Sequence, residues 1–247
     1  MVQIEITTRC NYSCWYCTGR DMEQEDMSWD TFTAIVDKIP SKSIVKLQGE
    51  GEPTLWKHWW EGVAYIAERG HFLTSIINGT NVDVEKFTLY FSNLGVSIDS
   101  IDPDVANEIG RFNVKKVQQN LLLLKKHMKS KLVAYITDIG QDLTSTKQWL
   151  QSNNIAYVLQ PLMAKTDYVA AYPADKKFTS LSRLAADKPK TCEYLFDENK
   201  LKFFTIKGQE LPCCFIKQPE GFSADVARDE MNQGIVPSYC TGCRYLK

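Results

Sequence analysis

The residues best able to do chemistry in this sequence are eight cysteines. They fall into two groups, 10, 14 and 17 towards one end and 192, 213, 214, 240 and 243 towards the other. Cys10, Cys14 and Cys17 are spaced C-x3-C-x2-C in the run CNYSCWYC. Three thiolates this close can bind three irons of a 4Fe–4S cube and leave the fourth without a protein ligand. That open position is what chemistry on a bound ligand requires. A structural zinc would want a fourth Cys or His nearby, and the nearest histidine, His58, has no ligand-like spacing. In the second group, Cys192, Cys213, Cys240 and Cys243 offer four thiolates, enough to close the coordination of either zinc or a 4Fe–4S cluster. In a reducing compartment, which disfavours structural disulfides, clustered thiols read first as metal ligands.

These groups need elements to position them. Residues 2–8 alternate and are rich in β-branched side chains, predicting a strand that runs straight into Cys10. Ser28 is the expected N-cap of a helix that places Phe32, Ile35, Val36 and Ile39 on one face and stops at Pro40. Strands follow at 43–47, 72–77, 95–99, 132–137 and 155–162, with helices at 57–68, 83–91, 113–128 and 144–151. Repeated βα units imply an α/β fold with a parallel sheet and right-handed crossovers. Six units are too few for an eight-fold barrel, so a partial (β/α)6 barrel is expected, with ligands at the C-terminal strand ends.

The motifs at those strand ends resemble the radical S-adenosylmethionine (SAM) superfamily. A strand enters C-x3-C-x-aromatic-C, with Tyr16 at the aromatic position that the resemblance puts near the adenine. The stretch QGEGEPTL over residues 48–55 resembles the family's Gly-Gly-Glu-Pro loop. Gly49 and Gly51 permit close backbone approach, and Glu52 matches the family's glutamate, a carboxylate able to accept from an ammonium group. Glu50 stands where a glycine is usual. Asn78-Gly79 resembles the family's Asn-Gly after the third strand, although a plain turn would look the same. Ser97 and Asp99 point the same way if the strand alternates, and they resemble the family's ribose-binding polar residues. The plainer reading of Asp99 is a cap on a helix near Pro103. The resemblance covers roughly residues 1–162. It implies SAM chelated at the open iron of a catalytic 4Fe–4S cluster, cleavage to a 5′-deoxyadenosyl radical, and hydrogen abstraction from a substrate.

Towards the other end, the order Cys192, Gly208, Cys213, then Cys240 and Cys243 resembles the auxiliary-cluster extension of these enzymes, the SPASM domain, in its shortened "twitch" form. The resemblance implies a second, auxiliary 4Fe–4S cluster on those four cysteines. Cys213 fits the Gly-x4-Cys spacing, Cys214 is the alternative ligand, and the surplus cysteine reads as a small buried residue. The expected organisation is a barrel over 1–162, a linker over 163–185 with one short helix, and a twitch-like domain over 186–247 containing a hairpin that turns at Lys207-Gly208.

Such enzymes are oxidoreductases for alcohols or thiols, or modify peptide side chains. For oxidation, Asp138 is the candidate base, although capping or solvation is its plainer role, and Gln160 and Arg111 are candidate substrate contacts. No peptide-binding domain precedes the first strand, which tilts the expectation towards a small molecule or sugar alcohol. The alternative is a peptide-modifying enzyme (RiPP or protein maturation), and a non-catalytic zinc-binding protein is more remote. A reductant such as flavodoxin or ferredoxin is the implied partner. A net charge of −1 gives no reason to expect nucleic acid. No run of roughly eighteen apolar residues suggests a membrane span, and MVQIEITTRC is unlike a signal peptide, so a cytoplasmic location is expected. Trp56, Trp59 and Trp60 read as helix core, and His58, His71 and His127 have no assignable partners.

Overall fold

The computed structural model describes residues 1–175, 191–217 and 219–247. The end of the expected linker and residues 186–190 of the expected second domain lie outside the described residues. The first half alternates β1 (Val2–Ile4), α1 (Trp29–Val36), β2 (Ile44–Leu47), α2 (Trp59–Glu68), β3 (Phe72–Ile77), α3 (Val84–Tyr90) and β4 (Phe91–Ser97). It continues through α4 (Pro103–Ile109), α5 (Val114–Met128), β5 (Leu132–Asp138), α6 (Thr144–Ser152) and β6 (Ala156–Pro161). Beyond these come α7 (Thr166–Ala171), α8 (Glu193–Phe196), β7 (Lys202–Phe204), β8 (Glu210–Leu211) and α9 (Ala224–Asn232).

One mostly parallel sheet runs through the molecule in the order β6-β5-β4-β3-β2-β1-β7-β8. Neighbours from β6 to β7 are parallel, and β8 returns antiparallel. Alternation along the strands divides the side chains between two faces. Val2, Ile4, Val45, Leu47, Leu73, Leu94 and Ala134 pack with residues of α1, α2, α3 and α5 in the main core. Gln3, Lys46, Thr74, Ser97, Tyr135 and Gln160 share the opposite, more polar face by register. Trp56 and Trp59 are core residues, and the Trp56 indole donates to the Met27 carbonyl at 3.0 Å.

Several local signals act as expected. The Ser28 hydroxyl accepts from the Thr31 N–H. The hairpin turns at Gly208, which has φ +81°. Its first strand, however, pairs with β1, Val2 against Lys202 and Ile4 against Phe204, and so joins the main sheet. An unpaired β1 edge would leave a row of backbone donors and acceptors open; β7 satisfies them. The opening strand is shorter than expected. After Ile4 the chain leaves the sheet and pairs with the segment before α1, through Met27 N to Ile6 O and Thr8 N to Glu25 O.

Candidate active site

The cysteine loop is fixed from both sides before any metal is considered. Upstream, the Arg9 guanidinium donates to both Asp26 carboxylate oxygens and to the Leu55 carbonyl. Downstream, Ser13 N donates to Gly110 O at 3.0 Å and Trp15 N to Ile109 O at 3.1 Å, tying the loop to the end of α4. Gly110 has φ +96°, and a Cβ there would stand 2.3 Å from Ser13 O. Only glycine allows this approach. Cys17 N donates to Cys14 O at 3.0 Å. Burial pushes the thiols of Cys10, Cys14 and Cys17 up, so they rest protonated until a metal displaces the proton.

The three thiols line a cavity of about 190 Å³ with residues 48–52, Asn78, Ser97 and Arg111. That is several times the roughly 30 Å³ of one water in the liquid. Among the described residues no three His, Cys, Asp or Glu side chains converge as they would round a single metal ion. Three thiols round an open space, with no fourth cysteine or histidine among the residues lining it, fit a 4Fe–4S cluster with one exposed iron.

The loop after β2 is built against the chain's own strand. A Cβ on Gly49 would lie 2.3 Å from Glu5 Oε1, and one on Gly51 2.4 Å from Thr7 O. Both glycines therefore serve packing against residues 5–9. Glu52 is 3 % exposed. Its Oε1 accepts from Thr54 N and Oγ1 and its Oε2 from Asn78 N at 2.6 Å, so it joins the loops after β2 and β3. Burial raises its pKa, and these donors oppose the rise. The Asn78 amide is tied to Asn11 and Thr80. Glu50 accepts from the Thr18 hydroxyl at 2.9 Å and pairs with Lys217.

Ser97 and Asp99 part company. Ser97 borders the cavity, but β4 ends there, and alternation no longer directs Asp99. The Asp99 carboxylate is fully buried. Oδ2 accepts from Arg111 Nε and the Tyr16 hydroxyl, each at 2.5 Å, and Oδ1 accepts from Thr137 N at 2.8 Å. Arg111 also donates to the Tyr16 oxygen at 2.7 Å. Burial is the largest single influence and works against the Arg111 charge, but Asp99, Tyr16 and Cys14 together outweigh it, and the guanidinium stays well above its ordinary range. The helix near Pro103 is capped by Asp102, whose Oδ1 accepts from Asp104 and Val105 N–H groups.

Asp138 and Gln160 are not among the cavity's lining residues. Asp138 shares the parity of Ala134 and Ile136, which are fully buried, and its Oδ1 accepts from Gly140 N at 3.1 Å.

The second thiol group is assembled from distant segments. Residues 191 and 247 exchange backbone hydrogen bonds at 3.1 and 3.0 Å, bringing Cys192 beside the turn that carries Cys240 and Cys243. Thr166 N donates to Thr241 O at 3.1 Å, linking that turn to α7. Burial raises the thiols of Cys213, Cys240 and Cys243, and the negative charge of neighbouring cysteines raises them further. Those charges connect Cys213 to Cys192 and Cys240, and Cys243 to Cys192. Cys214 is raised to about 11 by burial and is lowered in turn by Lys46 and Gln3, both on the polar face of the sheet. Adjacent cysteines therefore serve different surroundings.

The residue pairing that motif reading misses is Glu50 with Lys217 (neither lies in a repeat or spacing that hints at the other). No helix of the described residues is long and apolar enough to cross a membrane.

Comparison with known proteins places this geometry. The Radical SAM superfamily profile matches residues 4–145. A relative from Selenomonas ruminantium, "S-adenosylmethionine-dependent nucleotide dehydratase", is 30% identical over 119 residues, 45% of this chain and 43% of its own length. The match thus spans less than half of that relative. The "Tungsten-containing aldehyde ferredoxin oxidoreductase cofactor-modifying protein" of Pyrococcus furiosus is 23% identical over 252 residues, 85% of this chain and 69% of its own. Streptococcus suis SuiB bound to its precursor peptide SuiA aligns over 99% of this chain and 69% of that one, with TM-score 0.69 at 15% identity, a likeness of fold. With its profile matched across more than half of the sequence, and with three thiols round an open cavity fitted to the 4Fe–4S cluster and SAM that the family uses, this chain belongs to the radical SAM superfamily.

Proposed function

We propose that the protein is a radical SAM dehydrogenase for a small molecule or sugar alcohol. In this reading Cys192, Cys213, Cys240 and Cys243 would hold an auxiliary 4Fe–4S cluster, which would supply an electron acceptor during substrate oxidation. The observation that carries it is the second thiol group: Cys192, Cys240 and Cys243, from distant segments, share one small core, closed by the backbone hydrogen bonds between residues 191 and 247. Four protein ligands leave no open iron, so such a cluster suits electron uptake better than substrate binding.

When bound, the first cluster and SAM supply a 5′-deoxyadenosyl radical that takes one hydrogen atom from the substrate carbon. Cys10, Cys14 and Cys17 would hold that cluster, with the 48–52 loop, Asn78 and Ser97 bordering the space for SAM. Gln3, Lys46, Thr74 and Tyr135 on the same sheet face offer polar contacts to a hydroxylated substrate. An alcohol then becomes a carbonyl compound by losing a hydrogen atom to the nucleoside, a proton to a base and an electron to the acceptor. The names of the two relatives, a nucleotide dehydratase and a cofactor-modifying protein, support a small-molecule substrate.

The test is anaerobic reconstitution with iron and sulfide, then SAM and dithionite. Polyols deuterated at the carbinol carbon and a pool of peptides are offered separately. Deuterium in 5′-deoxyadenosine from a polyol, with the matching carbonyl product, is expected. Label transfer or mass loss with peptides alone would replace the reading with peptide modification.

A further inference from the structure

We propose that Lys217 and Glu50 form a charge pair that tunes the reduction potential of the cluster on Cys10, Cys14 and Cys17, placing that potential under control of the C-terminal segment. The proposal rests on the family's catalytic cluster and is independent of the dehydrogenase reading.

Glu50 occupies the position in the 48–52 loop where the family resemblance leads one to expect glycine, and it brings a carboxylate there. Its side chain is only 15% exposed. Oε2 lies 3.6 Å from Cys17 Sγ and accepts from the Thr18 hydroxyl at 2.9 Å. Its backbone N–H donates to Glu5 Oε1 at 2.8 Å. Gly19 completes the seat: a Cβ there would meet Glu50 Cβ at 2.6 Å and push the carboxylate away. A negative charge is thus held against a cluster ligand by three separate contacts.

Lys217 supplies the opposite charge from the far end of the sequence. It follows Cys213 and Cys214 closely, and its ammonium meets Glu50 Oε1 and donates to Cys214 O at 3.0 Å. Its side chain is 17% exposed. Glu5 also faces it. One lysine therefore bridges the segment bearing Cys213 and the loop beside Cys17.

The electrostatic consequence has a sign. Reducing a cluster adds one negative charge, and net charge close to the cluster is among the determinants of its potential. A cation beside Cys17 stabilises the reduced form and an anion opposes it, with more effect where water is excluded. Removing Lys217 should make reduction harder, and removing the Glu50 charge should make it easier. A pair that merely held the loop in shape would move both variants in the same direction.

The experiment is an anaerobic redox titration of the reconstituted protein, following the EPR signal of the reduced cluster that changes when SAM is added. Wild type, K217M, E50Q, the double variant and K217R are compared, with iron content as the loading control. The expected result is a negative shift for K217M, a positive shift for E50Q, and values near wild type for the double variant and K217R. Glu5 can take up a proton when Lys217 is lost, which blunts the first shift without reversing it. Shifts of the same sign, or no shift in either variant, would overturn the proposal. Should K217M fail to load iron, E50Q must still shift positive and K217R must not move; failure of either would overturn it equally.

Discussion

Glu52 Oε2 accepts the backbone N–H of Asn78 at 2.6 Å, so the carboxylate ending the β2 loop holds the turn ending β3. A buried donor left without its acceptor costs about 1–3 kcal/mol, and Glu52→Ala orphans the N–H groups of Asn78 and Thr54 together. We expect Glu52→Ala to lose several kcal/mol in urea unfolding of the metal-free protein and Glu52→Gln to lose much less. Equal losses would mean the carboxylate is not the link.

Asp99 and Arg111 form a buried ion pair in which the carboxylate has no exposure at all. Breaking such a pair from one side costs roughly 3–5 kcal/mol, because the surviving charge stays buried. Asp99→Ala should therefore lower the unfolding midpoint far more than Tyr16→Phe, which removes one hydroxyl from the same group. A thermal melt of each variant decides the matter, and a mild Asp99→Ala phenotype would contradict the geometry.

Glu5 is pushed up from 4.5 to about 7 by burial, against the pull of Lys217. The folded state then binds more protons than the unfolded one between those values. This contribution to stability is complete below about pH 4.5 and disappears as pH rises through about 7. The difference amounts to the order of 3 kcal/mol. Denaturant midpoints of the metal-free protein should fall across that window, and the fall should flatten in Glu5→Gln. An unchanged slope in the variant would assign the pH dependence elsewhere.

Gly110→Ala combines a positive φ with a Cβ aimed at Ser13 O. Alanine at a left-handed position destabilises by more than about 1 kcal/mol, and here the relief must come from the cysteine loop. The variant should keep its secondary structure by circular dichroism yet bind substantially less iron after reconstitution. Full iron loading would show that the loop accommodates the methyl group.

Cys213 and Cys214 provide an internal control for the second thiol group. Two clusters hold about eight irons per chain, so Cys213→Ala should fall to about four while Cys214→Ala stays near eight. The reverse pattern would exchange the ligand assignments of the two residues. Loss of iron in neither would remove the auxiliary cluster and the electron route with it.

Much of this architecture is legible in the residue pattern because its signals are local. Ser28 caps the helix it precedes, and the alternating run at 72–77 becomes β3 over its full length. The cysteine, glutamate and asparagine motifs reach one cavity because each ends a parallel strand. What escapes is long-range or lies just past an element's end. Asp99 sits beyond the last residue of β4, where side-chain alternation ceases to apply. Lys217 finds Glu50 only after the sheet has closed, and nothing near either residue marks the pairing. The first strand of the hairpin looks self-sufficient in sequence, yet it completes the sheet beside β1. α9 has few apolar positions to announce it, with Ala227 and Met231 its buried residues.

The pairing of β1 with β7 also bears on how the chain reaches this state. Val2 meets Lys202 across a separation of about 200 residues, and loop closure over such a span must precede the contacts that reward it, which slows folding. On the ribosome, the strand that leads into the first cysteine loop emerges before the other strands of this sheet and keeps one edge open until β7 is made. During that interval the earliest-made part of the sheet is its most adhesive part, and any chaperone or metal-delivery factor meets the cysteine loop beside an uncovered strand.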